Sequence, residues 1–146
     1  MNNVTTFETS QRLKAAGFPQ PVPAFGHLWY IFDKQFNKAK FEPAIVVGVH
    51  NAIQDKEFSV IYKSGSCREY DFDDLSNFYF APTAADILKE LPTKTLLFLS
   101  DTWHCGIQHG EILRNEFGWQ HIAMSDNSAE AAALAYLSLN EKHNEK

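Results

Sequence analysis

In "EFSVIYK" (57–63) Phe58, Val60 and Tyr62 fall on one side of an extended chain, and Glu57, Ser59, Ile61 and Lys63 fall on the other. Successive side chains of a strand point to opposite faces. The alternation therefore predicts a strand in an antiparallel sheet with one face packed and the other wet. Working outward, "HLWYIF" (27–32), "AIVVGVH" (44–50) and "CREYDF" (67–72) share the same richness in branched and aromatic residues between turn formers. The connections, roughly three to eleven residues long, suit hairpins and are too short for parallel crossovers. A meander follows. Gly48, inside the second of these strands, reads equally as a bulge, a close backbone approach or a tolerated glycine.

Helices flank this run. Thr5 and Glu8 have capping-box spacing, Gly17 is placed to end the helix in a left-handed conformation, and Pro19 forbids continuation, so a helix is predicted over 6–16. "PQPVPAFG" (19–26) is a stiff connector. In "FAPTAADILKELP" Thr83 caps, Asp86 sits three residues on, and Ala84, Ile87, Leu88 and Leu91 form one stripe, which predicts a helix over 83–91. Asn127 with Glu130 opens a third helix over 127–142, apolar on nearly every side, with a frayed "HNEK" tail. Between the last two helices, "TLLFLS" (95–100) and "WQHIAM" (119–124) read as strands. Strands in runs rather than alternating with helices predict an α+β fold: a mostly antiparallel sheet with three helices packed mainly on one face.

The chain of 146 residues fits one α+β domain, 1–146, with short flexible ends. Aromatic residues make up 14%, with twelve Phe, five Tyr and three Trp, more ring surface than a minimal core demands. Net charge is −5 and the basic residues are scattered, which argues against a phosphate-backbone binder. No apolar run approaches the ~18 residues of a membrane span, and "MNNVTTFETS" has neither the basic start nor the apolar stretch of a secretory signal. Two cysteines outside any Cys-x-x-Cys pair do not make a disulfide framework. The expected compartment is the cytoplasm, with reduced thiols.

Chemistry is concentrated in "DTWHCGIQHGEI" (101–112). Read as a strand, it points His104 and Cys105 to opposite faces, so the adjacent pair cannot ligate one metal. With a hairpin turn at His109–Gly110, His104 and His109 lie roughly 15 Å apart, too far to share zinc at ~2.0–2.1 Å per bond. A metal site would have to borrow ligands from elsewhere, such as His50, Cys67 or His121, and their spacing does not recommend them. No metal and no cofactor is expected. Cys105 beside Gly106 reads as a core cysteine before a nucleophile, and Asp73–Asp74 as a solvated turn.

The helix ending "LKAAGFPQP", the "LWY" strand, the "FAPTAADIL" helix start and the final "SAEAAALAYLSLN" helix together resemble a group of small uncharacterised proteins of tailed phages and prophages of gut bacteria. The resemblance spans most of the chain and carries over no catalytic residue. It implies a setting: an intracellular accessory protein acting on a host component.

The leading expectation is a non-catalytic binding or interaction module, with a homodimer as one form. Its contact surface is expected to use Trp29, Tyr30, Trp103, His104 and Trp119, toward a protein partner or small ligand and not nucleic acid or membrane. Two rivals stand beside it: a small metal- or cysteine-dependent hydrolase around His104, Cys105 and His121, and a protein that sequesters a nucleotide-like small molecule.

Overall fold

The computed structural model describes residues 3–32, 43–51, 56–72, 75–108 and 119–144; among these, the side chains of 50, 51, 56, 108, 119, 120 and 142–144 are outside the description. The hairpin tip expected at His109–Gly110 and the Asp73–Asp74 turn lie outside the described residues. The fold is α+β, with eight strands in two antiparallel sheets and three helices among the described residues. The chain divides into two compact units, one of residues 6–14 and 19–81, the other of residues 1–5, 15–18 and 82–146. The strands are shared between two sheets, one in each unit, a division the sequence leaves open.

The first unit holds α1 (Phe7–Ala15) and β1 (Leu28–Ile31), β2 (Ala44–Asn51), β3 (Lys56–Ile61), β4 (Cys67–Asp71) and β5 (Phe78–Phe80). The order across the sheet is β4-β3-β2-β1-β5. Phe58, Val60 and Tyr62 are buried while Ile61 and Lys63 are exposed, the pattern expected of "EFSVIYK". In β2 the pairing with β3 slips between Val46 and Gly48, so Gly48 does sit at a bulge. β1 pairs with β5 along Trp29↔Phe80, Tyr30↔Tyr79 and Ile31↔Phe78. The sheet curls until its two edges meet, with Tyr70 of β4 edge-on to Phe78 of β5 at 5.1 Å between ring centroids. The helix lies against the opposite face, where Phe7 packs edge-on to Tyr30 and Tyr79. Its cap is Thr6, one residue later than foreseen: Thr6 Oγ1 accepts from the Thr9 N–H at 3.3 Å and donates to the Thr9 hydroxyl. Thr5 is instead buried, its N–H donating to the Pro82 carbonyl.

The second unit contains α2 (Ala84–Leu88), β6 (Thr95–Leu99), β7 (Trp103–Gln108), β8 (Trp119–Ser125) and α3 (Ser128–Asn144). Thr83 and Asp86 form a complete capping box on α2. Regular α-helix stops at Leu88; Glu90 and Leu91 then donate to the carbonyls of Ile87 and Leu88, a tightened last turn that accounts for the longer span predicted to residue 91. Asn127 Oδ1 accepts from the N–H groups of Ala129 and Glu130, which starts α3. That helix runs on through Asn144. Five alanines, Ala129, Ala131, Ala132, Ala133 and Ala135, are fully buried, and such small side chains let α3 press closely on β7, β8 and α2. Phe18 meets Tyr136 edge-on at 5.2 Å on the same helix. Among the described residues no helix is long and apolar enough to cross a membrane.

Candidate functional site

The three-stranded sheet β6-β7-β8 has two unlike faces. Its register sets Leu97 beside Cys105 and Cys105 beside Ala123, a row that α3 covers and that leaves Cys105 and Ala123 buried. The next row, Phe98–His104–Met124, points the other way, as does Leu96–Gly106–His121. This second face is open, with Leu96 48%, Phe98 43% and Met124 59% exposed.

His121 reaches the open face through an irregularity. Ala123 pairs with Cys105 and His121 with Gly106, so β8 advances two residues while β7 advances one. Ile122 is the extra residue of a bulge. Strict alternation from Ala123 would turn His121 inward, because a one-residue slip moves a side chain to the opposite face. Here the bulge turns it outward. Gly106, directly opposite, carries no side chain, so the imidazole can lean along the diagonal toward His104. The result is a close pair: His104 Nδ1 and His121 Nε2 are 3.1 Å apart and the ring centroids 5.2 Å apart.

His104 is held on two further sides. Phe98 stacks on its ring at 5.2 Å with only 19° between planes, and Thr102 Oγ1 lies 3.4 Å from its Nε2. Aromatic stacking and a partner on the second nitrogen together restrict the ring's rotation. Cys105, the adjacent residue, is on the covered face; burial pushes its thiol from 9.0 up to about 11. The opposite-face reading of His104 and Cys105 holds. The trio His104, Cys105 and His121 does not assemble: the two imidazoles meet each other, and the thiol is on the far side of the sheet. Among the described residues no group of three or more His, Cys, Asp and Glu is placed to hold a metal ion.

The expected contact surface needs correction. Trp29 is 1% and Tyr30 5% exposed, both enclosed within the first unit, where Trp29 packs on Phe80 and Tyr30 on Phe7. Their rings are core, because Trp29 packs on Phe80 on one face of the sheet and Phe7 of α1 covers Tyr30 on the other. Trp103 is half-buried at the end of β7, beside Leu99 and Ser125 in register. Trp119 starts β8 opposite Gln108, and its side chain lies outside the described residues. Of the five residues, His104 alone is seen on the open face, where it meets His121, named in the sequence only beside the hydrolase alternative; Leu96, Phe98 and Met124 there were not foreseen. For the apolar three, an available signal was the wholly uncharged text of the strands "TLLFL" and "WQHIAMS". Compared with protein-family models, curated proteins and solved structures, the chain matches none.

Proposed function

We propose that the protein is a non-catalytic binding module whose first partner is a second copy of itself, joined along the outer edge of β6. The observation that carries this reading is the absence of charge from β6, β7 and β8: no residue in them is Asp, Glu, Lys or Arg. Edge strands in natural sheets are guarded by charged residues or by shortness, because an unguarded edge is a template for pairing. The five-stranded sheet follows that practice. Its edge β4 carries Arg68, Glu69 and Asp71, and its edge β5 is three residues long. The three-stranded sheet does not, since its edge β6 reads "TLLFL" with Leu96, Phe98 and Leu99 exposed.

A second copy fits such an edge on electrostatic grounds. With a net charge of −5, two copies repel wherever their carboxylates meet, and an uncharged strip is where that repulsion is least. Antiparallel pairing of β6 with its counterpart across a two-fold axis would join two sheets into one of six strands. In the phage or prophage setting that the sequence resemblance implies, the dimer would then present its remaining surface to a host component. Binding rather than turnover is favoured by the position of Cys105, whose thiol is buried away from the two imidazoles.

Size-exclusion chromatography with light scattering tests this. The reading expects about twice the 16.6 kDa chain mass for the wild type and the single-chain mass for Leu96→Lys, which places a guarding charge on the edge. A wild-type chain that stays monomeric at high concentration, or a Leu96→Lys variant that remains dimeric, would remove it.

A further inference from the structure

We propose that His104 and His121 form a bidentate binding site for a late first-row divalent cation, Cu²⁺, Ni²⁺ or Zn²⁺. Imidazole nitrogen suits these ions, whereas Mg²⁺ and Ca²⁺ require oxygen ligands. The inference rests on the geometry of one chain and is independent of what covers the open face.

Three features support it. The first is the bite. Two nitrogens 3.1 Å apart, each bonded to a cation at ~2.05 Å, subtend roughly 100° at the metal, between the octahedral and tetrahedral angles. The second is tautomer control. Thr102 Oγ1 at 3.4 Å can accept the Nε2–H of His104, which leaves the Nδ1 lone pair directed at His121. A ligating histidine commonly has its other nitrogen engaged in this manner, which fixes the tautomer and the ring orientation. The third is ring placement, with Phe98 stacked on His104 and the His121 ring brought outward by the bulge at Ile122.

Loading requires a proton shift within one ring and a turn of the two rings, because lone pairs that face each other along the hydrogen bond must swing by roughly 40° toward a cation lying off the line between the nitrogens. Without a metal, His121 Nε2–H donates to His104 Nδ1. On binding, the His121 proton moves to its Nδ1 by exchange with water, and both facing nitrogens offer lone pairs to the cation. No net proton is released, no bond to carbon changes and no electron is transferred. Water would complete the coordination sphere.

The test uses the full chain, titrated with Cu²⁺ and with Ca²⁺ by calorimetry, alongside His104→Gln and His121→Gln variants whose folding is checked by circular dichroism. The proposal expects saturable Cu²⁺ binding in the wild type and none for Ca²⁺. Each variant should weaken Cu²⁺ binding by more than the ~10–100-fold that loss of an outer partner costs. Electron paramagnetic resonance of the Cu²⁺-loaded chain should show coupling to two nitrogens, reduced to one in either variant. Unsaturable binding by the wild type, or wild-type affinity and an unchanged spectrum in both variants, would overturn it.

Discussion

Tyr70 and Phe78 sit on strands at opposite edges of a five-stranded sheet, yet their rings meet edge-on with centroids 5.1 Å apart. Phe58, from the strand next to β4, adds a contact to Phe78 at 5.7 Å, so Phe78 closes the curl from its own side. It is buried. Phe78→Ala would remove the ring that both partners pack on, and a phenylalanine-to-alanine change in a core costs about 3–5 kcal/mol. Urea unfolding followed by near-ultraviolet circular dichroism should register a loss of that size. A loss below about 1 kcal/mol would mean that the two edges do not depend on this contact.

Lys14 ties α1 to the turn before β5. Its Nζ donates to the carbonyls of Leu75, Ser76 and Phe78 at 2.9, 3.1 and 2.8 Å and lies 4.9 Å from the Tyr79 ring centroid. Three donors and three acceptors match. Lys14→Met keeps the apolar stem and removes the ammonium, leaving carbonyls that must turn to water. The expected cost is about 1.5–3 kcal/mol, the range for hydrogen bonds to a charged group, read as a lowered urea midpoint with an unchanged slope.

The two cysteines should differ sharply in reactivity. Cys67 is exposed; Cys105 is buried, with its thiol raised from 9.0 to about 11. The thiolate is the nucleophile, and at pH 8 a thiol of that acidity is about 0.1% ionised. A disulfide reagent should therefore modify one thiol per native chain quickly and the second only in denaturant. The same shift has a sign for stability. Because the folded state holds its proton up to a higher pH than the unfolded chain, folding stability is unaffected below about pH 9 and falls between pH 9 and 11. Cys105→Ala should flatten that decline.

How much of this was legible in the sequence depends on whether local pattern or pairing decided the outcome. "EFSVIYK" disclosed its buried side because alternation is a property of the strand alone. The three helix starts were visible as capping residues, although two threonines in succession left the first cap ambiguous, and Thr6 rather than Thr5 holds it. β5 was not foreseen. "FYF" is three residues long, runs directly into "AP", and becomes a strand through its pairing with β1. The burial of Trp29 and Tyr30 was hidden for a related reason, since the rings that pack on them, Phe80 of β5 and Phe7 of α1, are distant in the sequence. The meeting of His104 with His121 was the least accessible feature, because residues seventeen apart come together only through the bulge at Ile122, for which the chain carries no local mark.

The arrangement of the open face is tested most directly by proton–proton Overhauser contacts from the His121 ring. The structure predicts contacts with the His104 ring, and none with the alanine methyl groups of α3, the helix that covers the other face. Contacts from His121 to those alanines, without any to His104, would mean that β8 keeps strict alternation. The imidazole pair would then not exist.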